Sequence, residues 1–131
     1  MSRKQGRPTI LIVDHNEVLR NNLKVLLDAA GYDVTTAHNG YEASYIAAAN
    51  RPDLIITGIF FPQTDCFELI QYFRSTLPAA RMIVTGEKPM ARYLSMARQL
   101  GADAVLHTPC RPDTLLASVL PLVSRPRQGD A

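Results

Sequence analysis

The sequence predicts a single α/β domain in which one parallel β-sheet is covered on both faces by helices. Five short segments with the composition of strands alternate strictly with five segments of helical periodicity. Such alternation requires crossover connections, which are right-handed and make the strands parallel. The 131 residues suffice for one compact domain with a core and are too few for two.

The five predicted strands are short and rich in β-branched and apolar residues. Most are continuous apolar runs, as expected of strands covered on both faces, whereas the second, DVTTA, is more polar and is expected nearer an edge of the sheet. The predicted ranges are 9–14, 33–37, 54–58, 81–86 and 102–108.

The first two predicted helices differ in composition. The first has a leucine face and is expected to end at Gly31, a residue suited to the left-handed conformation that follows many helices. The second is alanine-rich, covers 41–50, and follows an Asn39-Gly40 turn.

The remaining three helices are marked by capping residues and prolines. Asp65 is a candidate N-cap of the third helix, which Pro78 should end. The fourth is expected to have Pro89 in its first turn and to end at Gly101. The fifth begins at 112–113 and is predicted through 119, with the proline at 121 limiting or bending it.

Composition and charge exclude several classes of function. Apolar residues make up 47% and charged residues 20% of the chain, which is typical of a folded domain, and no apolar run could cross a bilayer. The net charge of +2 comes from basic residues in the predicted disordered tails, 1–8 and 124–131, so the domain at 9–123 is slightly acidic. We therefore expect a cytoplasmic location, no membrane contact and no nucleic-acid partner.

Two cysteines, Cys66 and Cys110, make no disulfide framework and are expected to be free thiols. Together with His15 and His107 they could form a transition-metal site, but the alternation of a strand should point His107 away from Thr108 and the site at the strand end. We therefore predict no metal site.

The order of the motifs resembles the receiver domain of bacterial response regulators. The matching segments, in chain order, are ILIVD, GYDVTTAHNGYEA, PDLIITGIFFP, QTDCFEL, MIVTG, GADAVLHTP and a leucine pair at 115–116. The resemblance covers about 9–123 and implies the flavodoxin-like strand order 2-1-3-4-5. It also implies a two-component (phosphorelay) role, in which a phosphohistidine transfers its phosphoryl group to an aspartate after the third strand.

Position by position, the chain departs from the chemistry that the resemblance implies. Asp14 matches the first metal-binding acid, but His15 stands at the second. Gly58 stands at the phosphoacceptor position and Thr108 at the lysine position, whereas Thr85 matches the retained hydroxyl residue. The resemblance further implies a cis peptide bond before the proline at 109.

These departures predict a degenerate receiver, or pseudo-receiver, with no phosphoacceptor and no catalytic residue. Glycine cannot form an acyl phosphate, and one acid with an imidazole is a poor ligand set for Mg²⁺, so we expect Mg²⁺ binding to be lost or weak and no other cofactor to be required. His15 has two interpretations, a pH-sensitive group or a residue that fills polar space at a strand end, of which we favour the second. Asp53 and Asp65 are possible substitute acceptors, although turn and capping roles explain both.

The predicted activity is phosphorylation-independent protein–protein interaction, with a histidine kinase, a phosphotransfer protein or another regulator, and without enzymatic activity. In the family, the fourth helix, fifth strand and fifth helix commonly form a contact or dimer face, which places Arg92, Tyr93, Met96 and Val105 on a possible partner surface. A second possible patch is formed by the phenylalanines at 60–61. Two alternatives stay open: a receiver phosphorylated on a non-standard residue, and a module that binds a small ligand on the same fold.

Overall fold

The computed structural model describes residues 6–59 and 63–124, and these form an alternating β/α structure. In chain order the elements are β1 (Thr9–Val13), α1 (Glu17–Ala29), β2 (Asp33–Ala37), α2 (Gly40–Asn50), β3 (Leu54–Gly58), α3 (Gln63–Thr76), β4 (Arg81–Glu87), α4 (Ala91–Gln99), β5 (Ala104–Thr108) and α5 (Pro112–Ser124). A short 3₁₀ turn, Lys88–Met90, leads into α4.

The five strands form one parallel sheet in the order β2-β1-β3-β4-β5, which confirms the predicted fold class and strand order. β2 lies at an edge, as its polar composition predicted, and the central strand β3 is buried along its whole length. The register pairs Val13 with Thr57 and Gly58 with Thr85, so the carboxyl ends of the three inner strands lie side by side.

Alternate residues of each strand face two separate apolar layers, because successive side chains of a strand point to opposite faces. The first layer packs strand residues such as Leu11, Ile55 and Met82 against α2, α3 and α4. The second packs residues such as Ile12 and Ile56 against α1 and α5. The carboxyl edge of the sheet therefore lies between two layers of packed helices.

Local sequence explains where the first two helices begin and end. The side chain of Asn16 accepts a hydrogen bond from the backbone N–H of Leu19 at the start of α1, and that of Asn39 accepts from Glu42 at the start of α2. Gly31 adopts φ +98° just after α1, as predicted for the helix stop.

Several predicted boundaries were wrong by one to five residues. α2 begins at Gly40 and not at 41, and Pro89, predicted in the first turn of α4, lies in the 3₁₀ turn before that helix. β1 ends at Val13 and β5 begins at Ala104, each shorter than predicted, while β4 continues one residue further, to Glu87. α5 continues past its internal proline, Pro121, to Ser124. This proline lies in an exposed last turn, where water can hydrate the carbonyl group that loses its helical hydrogen bond.

Asp65 is not the N-cap of α3, because that helix already begins at Gln63. Asp65 lies instead in the first turn, where a carboxylate interacts favourably with the positive end of the helix dipole.

Candidate functional site

The residues predicted at the site lie along the carboxyl edge of the sheet. Asp14 directly follows β1, Gly58 ends β3, Thr85 lies near the end of β4, and Thr108 ends β5. The structure brings the first three together, since Gly58 and Thr85 are register partners and a side-chain oxygen of Asp14 lies over Gly58. Thr108 is one strand further out, opposite Glu87.

Asp14 is buried and held in place by backbone and side-chain contacts. Only 5% of its surface is exposed. Its backbone N–H donates to the carbonyl oxygen of Ala37 (3.1 Å), and its carboxylate Oδ1 accepts from the N–H of Asn16 (2.9 Å). Nη1 of Arg20 donates to its carbonyl oxygen (2.6 Å). Two contacts therefore hold the backbone of Asp14, and the hydrogen bond from Asn16 orients its carboxylate.

That orientation fills the space beside Gly58. A Cβ atom on residue 58 would lie 3.2 Å from Cγ of Asp14 and closer to Oδ2 than real Cβ atoms approach, whereas Oγ1 of Thr85 would be at an ordinary 3.6 Å. The carboxyl group of Asp14 thus occupies the place where a side chain at position 58 would begin.

Burial raises the pKa of the Asp14 carboxyl above its ordinary value of 3.8. The hydrogen bond from Asn16 and the charges of His15 and Arg20 act in the opposite direction and only partly offset the loss of hydration. The site therefore holds a single acid whose charged form is disfavoured by its surroundings.

His15 does not complete a second acidic or metal-binding position. Its side chain is 69% exposed, and Nδ1 lies 3.8 Å from Oδ1 of Asp14. Cys66 is fully buried, with its thiol pKa raised to about 12 by burial, and His107 is exposed on β5. Within 6–59 and 63–124, no three His, Cys, Asp or Glu side chains are grouped closely enough to hold a metal ion.

The peptide bond between Thr108 and Pro109 is cis, as the resemblance implies. Thr108 itself is nearly buried, and Thr85 is 2% exposed. Two hydroxyl-bearing residues thus lie at or near the ends of neighbouring strands, and neither position carries a cationic residue.

The two candidate substitute acceptors lie in different places. Asp53 is at the opposite, amino edge of the sheet, where its Oδ2 accepts hydrogen bonds from the N–H (2.9 Å) and the hydroxyl group (3.2 Å) of Thr9. This contact joins β3 to β1 and agrees with the predicted turn or capping role. Asp65 is exposed on α3.

The residues predicted for a partner face are only partly available to solvent. Arg92 is exposed and Met96 is 43% exposed. The ring of Tyr93 instead lies 6.5 Å from that of Phe67 on α3, and Val105 packs against the first apolar layer. The phenylalanines at 60–61 lie outside the described residues.

A groove between α2 and α3 was not predicted. It is lined in part by Tyr41 and Tyr72, and Tyr45 is 81% exposed on the outward side of α2. One sequence signal could have indicated it: α2 has a single charged residue, Glu42, and two tyrosines spaced one turn apart, an unusual composition for a solvent-facing helix.

The fold and the edge site together define an α/β receiver-type signalling domain, and comparison with known proteins identifies its family. The Response regulator receiver domain family matches residues 10–120, so the chain belongs to this family of two-component response regulators.

Individual relatives agree with this assignment. The chain is 31% identical over 122 residues to response regulator MprA of Mycobacterium bovis, an alignment that covers 93% of this chain and 53% of MprA. The chain therefore spans about half the length of the curated relatives it matches.

Solved structures show the same fold. Chemotaxis response regulator CheY4 of Vibrio cholerae has 27% identity and a TM-score of 0.79, with 88% of this chain and 98% of that chain covered. The receiver domain of a signal transduction histidine kinase from Syntrophus aciditrophicus has 28% identity and the same TM-score of 0.79, with 89% and 90% covered. In the described part of our chain, every helix is too short or too polar to cross a bilayer.

Proposed function

We propose that this receiver domain is a pseudo-receiver, which signals through phosphorylation-independent protein–protein interaction. The observation that carries the proposal is the pairing of Asp14 with Gly58. Position 58 offers no nucleophile, and the carboxyl group of Asp14 fills the space in which an acceptor side chain would stand.

The ligand set at this edge does not fit Mg²⁺. The ion requires several oxygen ligands in near-octahedral geometry, and the described residues place the carboxylate of Asp14 beside Gly58 but no group of three His, Cys, Asp or Glu side chains that could hold an ion. One oxygen of that carboxylate already accepts a hydrogen bond from Asn16, and the other lies against Gly58. We therefore propose weak or absent Mg²⁺ binding, no catalytic residue and no enzymatic activity.

Charge also argues against phosphoryl transfer at this edge. The developing negative charge of a transferred phosphoryl group needs cations or preorganised donors. A threonine at position 108 supplies a hydroxyl group but no positive charge, and the buried carboxylate of Asp14 would repel the phosphoryl oxygens.

The proposed partners are signalling proteins, such as a histidine kinase, a phosphotransfer protein or another regulator, with a cytoplasmic location. Of the four residues predicted for the α4–β5–α5 face, Arg92 and Met96 are exposed, and we assign these two to such a contact or to a homodimer. Any switching then follows from a partner that binds one pre-existing conformation better than another.

Incubation with acetyl phosphate and Mg²⁺, followed by intact-mass measurement, tests the proposal. We expect no gain of a phosphoryl group by the wild-type chain. A gain of one such group, mapped by fragmentation to Asp14, Asp65 or any other residue, would contradict it.

A reconstructed variant, His15→Asp/Gly58→Asp/Thr108→Lys, serves as the comparison. It restores the second acid, the acceptor and the cation together, and its thermal unfolding shows whether it is folded. A folded variant that gains the phosphoryl group while the wild type does not would locate the missing chemistry at these three positions.

A further inference from the structure

The groove between α2 and α3 has a volume of about 1240 Å³. A second cavity of about 220 Å³ continues it along the same two helices, and both are lined by Ser44 and Tyr72. The groove is open along its length and is larger than the roughly 300–1,000 Å³ of most small-molecule sites. Its form suits an elongated segment of another protein.

The walls of the groove are aromatic and uncharged on the α2 side. Tyr41, which lines the groove from this side, is 90% exposed. The only charged residue of α2, Glu42, is bound to His38, whose backbone N–H and ring Nδ1 lie 2.8 Å and 2.6 Å from its carboxylate. Exposed tyrosine rings of this kind are enriched at protein interfaces.

The α3 side of the groove is acidic. Asp65 and Glu68 lie three residues apart on α3, both exposed, and neither forms an ion pair with another described residue. Among the described residues, no lysine or arginine lines the larger groove; Arg51 lines only the smaller cavity at its far end. The groove therefore combines tyrosine faces, which attract cations, with two carboxylates that form no ion pair within the described part of the chain.

We propose that this groove binds an amphipathic helix of a partner protein, with apolar side chains between the tyrosines and a lysine or arginine against Asp65 and Glu68. Helix-in-groove recognition places anchors at intervals of three or four residues, which matches the three-residue spacing of the two acids, Asp65 and Glu68. The same charges exclude a phosphate-bearing partner such as nucleic acid.

This inference rests on the interaction role proposed above and adds a second surface to it. The acetyl phosphate measurement tests that role, and the peptide measurements described next test the groove, so either can fail without the other.

The probe is a synthetic amphipathic helical peptide with leucine and arginine at alternating intervals of three and four residues, and a matched peptide with glutamate in place of arginine. With the full chain, we expect the arginine peptide to shift the NMR resonances of Tyr41, Glu68 and Tyr72, and the glutamate peptide not to bind. The affinity should fall with added salt.

Variants of the chain separate charge from shape. Asp65→Asn/Glu68→Gln should weaken binding at least fivefold, whereas Asp28→Asn/Asp113→Asn, which removes two exposed acids elsewhere, should leave it unchanged. Tyr41→Ser should also weaken binding, and Tyr41→Phe, which keeps the ring, should retain it.

Several results would overturn the proposal. These are equal binding of both peptides, no binding of the arginine peptide, or resonance shifts on α4–β5–α5 in place of the groove. A dimer in sedimentation that Tyr41→Ser dissociates would also overturn it, because a second copy would then be the occupant.

Discussion

At the scale of single residues, the contact between Asp14 and Gly58 determines what the carboxyl edge can do. A glycine at the end of a buried strand is usually less stable than alanine, because glycine loses more conformational freedom on folding. Here the reverse should hold, since the carboxyl group of Asp14 lies where the added methyl group would go.

We expect Gly58→Ala to destabilise the domain by about 1–3 kcal/mol, the usual cost of overpacking a closely packed site. Urea unfolding of a double-mutant cycle with Asp14→Ala checks the cause. If the overlap is responsible, the cost of Gly58→Ala falls close to zero in the Asp14→Ala background. An equal cost in both backgrounds would show that Asp14 is not the obstacle.

The buried carboxyl group of Asp14 should also make stability depend on pH. Its pKa is raised on folding, so the folded state binds the proton more tightly than the unfolded chain. The protonated carboxyl group thus stabilises the fold. This contribution is fully present when the pH lies below 3.8, the ordinary pKa of the group, and it is lost as the pH rises through the pKa of the folded state.

Asp14→Asn removes that titration but keeps an oxygen that can accept from the N–H of Asn16. We therefore expect the variant to be more stable than the wild type near pH 7 and to lose this advantage as the pH falls toward about 4. Urea unfolding of both proteins across that interval measures the difference. A constant difference at all pH values would contradict the assignment.

At the scale of the elements, helix ends could be predicted wherever a residue type is required by the backbone. Gly31 was predicted to follow α1, and Gly101 to follow α4; both have positive φ, +98° and +122°. Both positions favour glycine because a Cβ atom is strained in this conformation.

The two glycines differ in the space that their neighbours leave for a Cβ atom, so they test how much crowding adds to the backbone strain. Nothing lies within 4 Å of a Cβ at residue 31, whereas one at residue 101 would lie 3.0 Å from Cδ of Arg74. Arg74 cannot move freely, because its guanidinium donates to the carbonyl oxygen of Ala80 and lies 3.7 Å from Asp103.

We expect Gly31→Ala to cost about 1–2 kcal/mol from backbone strain alone, and Gly101→Ala to cost more. Thermal or urea unfolding measures both, and Arg74→Ala should reduce the excess at residue 101. Equal losses of unfolding free energy in the two variants would mean that the Arg74 side chain moves aside without destabilising the fold.

The sequence predicted the order of the elements better than the details of the edge. Alternating apolar segments and turn residues act locally, so all five strands and five helices were located, with errors at ends such as Ala104 and Ser124. The rotation of the Asp14 side chain over Gly58 depends on contacts between β1, β3 and the following loop, which no local pattern encodes. The α2–α3 groove likewise exists only once two helices pack side by side.

At the scale of the whole molecule, one sheet joins two apolar layers. Residues of the same strand contribute to both layers, as Ile10 and Leu11 do on β1. Neither layer can lose its strands without exposing the other, so the described domain should unfold as one cooperative unit.

We expect far-UV circular dichroism and tyrosine fluorescence to give the same urea transition. Ile70→Val in the first layer and Ile10→Val in the second should each lower stability by about 0.5–1.5 kcal/mol and shift both signals together. Separate transitions, or a variant that shifts only one signal, would show that the layers unfold independently.

The overlap at positions 14 and 58 also has a consequence for sequence change over time. A single substitution that gives residue 58 a side chain meets the buried carboxyl group of Asp14 and produces a less stable intermediate. A change from glycine to any larger residue therefore requires a change at or around position 14, so the two positions should vary together among near relatives. A glycine paired with an inward-turned aspartate is difficult to replace one mutation at a time.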